Sequence, residues 1–205
     1  MGLSQAVKDG QRNARILAWL LPVAVLAAAT ALGFLGDWGR DALRYDRIAI
    51  ADGEVWRLVS GHFVHLGWSH LALNSVGFGL ICYLVAARFA VWQWLVIGST
   101  VIAGIDLGFW FLQPQLAWYV GMSGLLHGLL AAGTLSGVLA RQREFWLIAL
   151  FLVAKLGYEQ WLGPMPGSEG TSGGQVVVVA HLYGAISGIV AALCVRFRKL
   201  PAAPI

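Results

Sequence analysis

The stretch VWQWLVIGSTVIAGIDLGFWFL, Val91–Leu112, holds a single acidic or basic residue, Asp106, in 22 positions. About 20 consecutive apolar residues cross a bilayer as a helix, so this stretch predicts a membrane span. Five further segments read the same way, at roughly 14–35, 70–87, 123–140, 144–161 and 176–196. The segment 70–87 is short, and its first turn carries polar groups. Residues 36–69 read as a long amphipathic external connection, and 162–175 as a Gly/Pro/Ser-rich loop. Composition agrees, with 59% hydrophobic and 12% charged residues; a soluble domain carries about twice that charged fraction. Ten Trp and 26 Gly fit a membrane protein, since Trp favours the interfaces and Gly is commoner in membrane helices than in soluble ones. The expected fold is an all-α membrane protein of six transmembrane helices, one domain over 1–205 with no separate soluble module.

Lys and Arg set the expected orientation. With a cytoplasmic N-terminus, the inside segments hold Lys8, Arg12, Arg15, Arg88, Arg141, Arg143, Arg196, Arg198 and Lys199. The outside segments hold Arg40, Arg44, Arg47 and Arg57, all in one loop. Both termini are therefore expected inside. The net charge of +4 comes with no basic run longer than two residues, so it reads as topology and not as a nucleic-acid surface. The first apolar run is too long for a signal-peptide core and is broken by Pro22, so it is expected to be retained. Cys82 and Cys194 both lie in apolar segments and are expected as buried thiols, not a disulfide.

Ionisable and polar groups at membrane depth are costly and mark candidate sites. Here they are His70, Asn74, Asp106, Ser123, His127, Lys155, Glu159 and His181. Ser123 sits in Gly121-Met122-Ser123-Gly124 at the start of the fourth span, where the free N–H groups of a helix N-terminus can stabilise an oxyanion. A helix-capping serine between packing glycines is the plain alternative. His181, in Ala180-His181-Leu182-Tyr183-Gly184, shares a helix face with Gly184 and Gly188. Such small-residue faces let helices approach closely, and the fourth span offers Gly124, Gly128, Gly133 and Gly137 as partner. That packing brings an imidazole towards Ser123, able to accept its proton; a lone histidine bonded to a carbonyl is the alternative. His70 and Asn74, at i and i+4, can both donate to an oxyanion, or clamp two helices. His127 follows Ser123 by one turn and reads as packing or second support, since two side chains at i and i+4 run parallel. Lys155 and Glu159, also i and i+4, read first as an intramembrane ion pair. Asp106 has no obvious local partner. His62, His65 and His70 invite a zinc reading, but they span a loop and a helix start without a His-Glu-x-x-His motif, so no metal is expected.

With these positions laid out, the chain resembles the rhomboid family of intramembrane serine proteases. The resemblance rests on Glu54-Val55-Trp56-Arg57 followed by His65, on His70-x-x-x-Asn74, on Gly121-x-Ser123-Gly124 and on Ala180-His181-x-x-Gly184-x-x-x-Gly188. It covers all six spans. It implies a serine endopeptidase without cofactor, with Ser123 as nucleophile and His181 as general base, a dyad lacking a third acid. His70, Asn74, Gly121 and the Ser123 amide would form the oxyanion hole, and Trp56, Arg57 and His65 would be structural in the first loop. It also implies partners: a membrane-anchored protein substrate and the lipid bilayer, and no nucleic acid. Lys155-Leu-Gly-Tyr-Glu159-Gln160, His70-Leu-Ala-Leu-Asn74 and Gly128-Leu-Leu-Ala-Ala-Gly133 look like the rhombosortase subgroup, which is thought to process bacterial secreted proteins bearing a C-terminal Gly-Gly sorting tail (GlyGly-CTERM). By that likeness the chain would lie in a bacterial inner membrane with its site facing the periplasm, and Lys155 and Glu159 would read a polar feature of the substrate. The alternatives are a general-substrate rhomboid, an inactive rhomboid-like chaperone, and a small transporter; the last is disfavoured because no repeat relates 1–100 to 101–205.

Overall fold

A computed structural model describes residues 19–195. The start of the first expected span, the last residue of the sixth, and Lys8, Arg12, Arg15, Arg196, Arg198 and Lys199 lie outside them. The chain is a multi-pass helical membrane protein. In order it forms α1 (Trp19–Gly33), α2 (Gly36–Leu43), β1 (Tyr45–Asp46), α3 (Arg47–Ala51), α4 (Arg57–Ser60), α5 (Trp68–Val85), α6 (Val91–Leu112), β2 (Trp118–Tyr119), α7 (Ser123–Leu139), α8 (Arg143–Leu162), α9 (Ser168–Ser172) and α10 (Val178–Cys194). The expected span 91–112 matches α6 at both ends. The others agree to within two residues where they are described.

Span length separates these helices. Among the described residues, α5 with its following 3₁₀ turn, α6 and α8 are each long and apolar enough to cross a membrane, and α1 qualifies with α2 across a bend of 114°. Helices α7 and α10 have 17 residues each, about 25 Å at 1.5 Å per residue. That is short of a full hydrocarbon core of roughly 30 Å. Ser123 and His181 thus sit on two helices shorter than a full span, packed closely against each other. Most of α7 is buried, whereas α8 turns Trp146, Leu147, Leu150, Phe151 and Val153 outward.

Glycine explains how α7 and α10 come so close. A Cβ on Gly184 would collide with the Gly124 carbonyl, and one on Gly188 with the Gly128 carbonyl. The predicted glycine faces meet, but only in part. Gly133 accommodates Val85 of α5, and Gly137 accommodates the Phe145 ring of α8. The α7 glycines serve three neighbours because this helix is surrounded. On the far side of α10, Ser187 and Tyr183 fill the space over Gly104 and Gly108 of α6.

The external connection is folded rather than merely amphipathic. Arg57, buried, donates to Glu54 (2.6 Å) and to the carbonyls of Asp41 (2.8 Å) and Arg44 (3.0 Å). Arg47 donates to the carbonyls of Phe109, Trp110, Gln113 and Leu116. These carbonyls lie at and beyond the C-terminus of α6, where a cation also faces the negative end of the helix dipole. Strands β1 and β2 pair antiparallel, Tyr45 opposite Tyr119, which fastens the loop to the segment leading into Ser123. This two-residue pairing is the one departure from an all-helical chain among the described residues. Trp56, next to Arg57 in the same loop, is 52% exposed, as suits an indole at a bilayer interface. Cys82 is buried as expected; Cys194 is exposed, because it sits on the outward face of the last turn of α10.

Candidate active site

Ser123 is the first residue of α7 and is half-buried. Gly121, two residues earlier, has φ +115°, a conformation open to glycine and strained for other residues. Its peptide is pinned on both sides: its N–H donates to the Gly61 carbonyl (3.0 Å), and its carbonyl accepts from the Tyr119 hydroxyl (2.6 Å). Burial holds the Tyr119 phenol well above its usual range, so it stays a donor. The resulting turn aims Ser123 into the bundle.

His181 Nε2 lies 3.0 Å from Ser123 Oγ. Its other ring nitrogen, Nδ1, lies 2.8 Å from Glu159 Oε2, and Glu159 Oε1 accepts from Lys155 Nζ at 2.6 Å. A carboxylate can only accept, so Nδ1 carries the proton and Nε2 is left to accept from the serine. His181 and Glu159 are both buried. The resemblance implies a dyad with no third acid, and it casts Lys155 and Glu159 as readers of substrate. The structure does put an acid behind the histidine: Glu159 Oε2 faces His181 Nδ1 while Oε1 holds Lys155. The Lys155–Glu159 spacing correctly suggested a pair, but it carried no sign of the third partner.

His127 stacks on His181, with ring centroids 4.1 Å apart and planes 17° from parallel, and its Nδ1 bonds the Ser123 carbonyl (2.7 Å). It braces the ring from behind and does not contact Oγ. His127, Glu159 and His181 bring ligand atoms within 4.8 Å of one another. In this arrangement both His181 nitrogens and both Glu159 oxygens are already engaged by protein partners.

Across the pocket stand His70 and Asn74. A Cβ placed on Gly121 would meet the His70 ring, at 2.7 Å from Cε1 and 2.9 Å from Nε2, with Asn74 Nδ2 at 3.8 Å. Asn74 Nδ2 is buried without a hydrogen-bond partner, a costly arrangement unless the amide awaits an acceptor. His70 Nδ1 accepts from the Leu66 amide (3.4 Å), which leaves Nε2–H as a free donor. With the Ser123 N–H at the helix start, these are the candidate donors around the Gly121 turn. Gly121, expected among them, offers no N–H because that group is already bonded to Gly61; it contributes its conformation and the absence of a side chain. Asn74→Ala is therefore expected to lower turnover about 100- to 1000-fold, the usual cost of one oxyanion donor, with little change in KM or thermal stability; steady-state kinetics and a melting curve check this.

The remaining candidates lie around this centre. His65 packs edge-on against His70 at 5.0 Å, and burial, followed by the His70 ring, lowers its pKa to about 3. It is a neutral wedge behind the donor. The partner of Asp106 is distant in sequence: its carboxylate lies 3.2 Å from Nε2 of the fully buried His62. His62 also meets the Tyr119 ring edge-on. This pair, with Arg47, ties the external loop to α6. Sequence reading missed both ties, since their partners lie 44 or more positions away.

Residues 52–198 match the model of the Rhomboid domain. The chain is 24% identical over 168 residues to "Putative rhomboid protease YdcA" of Bacillus subtilis, covering 78% of this chain and 77% of that protein. It is 28% identical over 162 residues to "Rhomboid-like protein 11, chloroplastic" of Arabidopsis thaliana, covering 72% and 54%. It is 32% identical over 146 residues to "Uncharacterized protein ML1171" of Mycobacterium leprae, covering 67% and 55%. The chain thus spans little more than half the length of two of these three relatives.

Proposed function

We propose, since this chain belongs to the rhomboid family, that it is an intramembrane serine protease in which Ser123 is the nucleophile and His181 the general base. The observation that carries the proposal is the 3.0 Å approach of His181 Nε2 to Ser123 Oγ, opposite a buried and unpartnered Asn74 amide. Oγ attacks the scissile carbonyl while its proton passes to Nε2. The carbonyl oxygen becomes an oxyanion facing Asn74 Nδ2, His70 Nε2 and the Ser123 amide. The imidazolium returns its proton to the leaving amine, and water or another nucleophile releases the acyl group. General base catalysis of this kind supplies about 100- to 10,000-fold.

The substrate class follows from where the site lies. Ser123 and His181 are at the N-terminal ends of two short helices beside the folded loop, so the scissile bond belongs to a membrane-anchored segment near one bilayer surface. We assign the chain to the rhombosortase type, acting on secreted proteins with a Gly-Gly-plus-helix tail, in a bacterial inner membrane with both termini inside and the site facing the periplasm. Support comes from the Arg/Lys bias and from the motif phrases around His70, Gly128, Lys155 and His181.

The test is co-expression with a secreted protein carrying such a tail, compared between wild type and Ser123→Ala by the mass of the product C-terminus. A product truncated at the tail in wild type alone is the expected result. An intact tail in wild type, with cleavage of an unrelated single-span substrate, would reassign the chain to a general-substrate rhomboid.

A further inference from the structure

We propose that Glu159 is a positioning residue for the proton transfer, so that the site works as a Ser–His–Glu relay backed by Lys155. The inference rests on the protease reading above and deepens it. Its basis is an unbroken line of hydrogen bonds: Lys155 Nζ to Glu159 Oε1 (2.6 Å), Glu159 Oε2 to His181 Nδ1 (2.8 Å), and His181 Nε2 to Ser123 Oγ (3.0 Å). The carboxylate lies on α8, the base on α10 and the nucleophile on α7, so the line crosses three helices and is not a local helix contact.

Each link has a distinct task. In the resting state Nδ1–H donates to Glu159, which fixes the ring orientation and forces the lone pair onto Nε2. As the Oγ–carbon bond forms, the Oγ–H proton moves to Nε2 and the ring becomes a cation, while Nδ1–H stays in place. Glu159 then faces that cation without taking a proton, and the Nε2 proton later leaves with the amine. Lys155 occupies the second carboxylate oxygen. It keeps the buried acid ionised, because a lone charge there would be strongly disfavoured. Among the described residues no other acid faces the ring: from α7 come Ser123 and the stacked His127, from α5 His70, and from α10 itself Tyr183, which accepts from Gln113. Asp106 of α6 is turned to His62.

The experiment compares wild type, Glu159→Gln, Glu159→Asp and the double variant Lys155→Met/Glu159→Gln in detergent, reading peptide cleavage across pH and thermal stability. A glutamine amide can donate to Nδ1, which puts the proton on Nε2 and removes the acceptor for the serine. Glu159→Gln is expected to lose about 100- to 10,000-fold in kcat with KM nearly unchanged. The acid limb of its kcat/KM profile is expected to move down by about one pH unit, as the imidazolium loses its anion. Glu159→Asp is expected to recover part of the rate. The double variant removes both charges together, so no buried lysine is left unpaired; it should melt near wild type and remain as slow as Glu159→Gln. If Glu159 serves only as an ion-pair partner, the double variant recovers wild-type activity with an unmoved pH profile, and the proposal is overturned. An inactive wild type overturns the protease reading itself, and this proposal with it.

Discussion

Ser123→Ala is expected to eliminate labelling by an alkyl fluorophosphonate and to reduce substrate cleavage below detection, while the protein folds and melts as wild type does. The rate loss should approach that for removing the nucleophile of a soluble serine protease, about a millionfold. The structural cost is small because Ser123 is half-buried and its hydroxyl adds one short bond, to His181; α7 keeps its first turn, since the Ser123 carbonyl still receives His127. His181→Ala should give the same loss of labelling. His127→Phe should not, because that ring is already stacked and its only polar link is to a carbonyl. Labelling that survives Ser123→Ala, at wild-type stoichiometry, would refute the nucleophile assignment.

The contrast between His181 and His127 indicates how far sequence alone carries. Spacing within one helix was legible: Val91–Leu112 is one helix, and the Gly184 and Gly188 face does carry His181 towards the start of α7. Patterns of this kind are local, with a period near 3.6 residues, and they report which residues share a face. What crosses between distant segments left no such trace. Arg47 caps α6 from more than 60 positions away, His62 meets Asp106, and Glu159 meets His181. In none of these cases did spacing name the distant partner. Glu159 illustrates this best: an i, i+4 lysine accounts for one carboxylate oxygen, and nothing in the sequence announces what the second one holds. Gly121 shows the same limit: its N–H bonds the Gly61 carbonyl, a contact set by the folded external loop that no local pattern carries.

The second large effect concerns packing. Gly184→Val is expected to abolish most activity and to lower the melting temperature, although residue 184 touches neither substrate nor proton. A Cβ there collides with the Gly124 carbonyl, and its neighbours offer no easy retreat: the obstacle is backbone, one residue after the nucleophile, and α10 is held on its other side by Tyr183 and Ser187 wedged over Gly108 and Gly104 of α6. Overpacking a tight contact costs roughly 1–3 kcal/mol, which for a domain of this size corresponds to a fall of several degrees at about 2–4 °C per kcal/mol. The catalytic loss should be larger than that destabilisation suggests. The clash lies one turn from His181, so relief by spreading α7 and α10 lengthens the 3.0 Å contact to Ser123, and a displacement of about 1 Å at reacting groups can cost about 100-fold. Gly79→Ala is the control, because a Cβ there meets nothing within 4 Å; replacing a mid-helix glycine by alanine at such a site should be neutral or stabilising by up to about 1 kcal/mol. The measurement is kcat for the folded fraction of each variant beside its melting curve. A Gly184→Val protein that cleaves at the wild-type rate would mean that the close approach of the two helices does not hold the histidine against the serine.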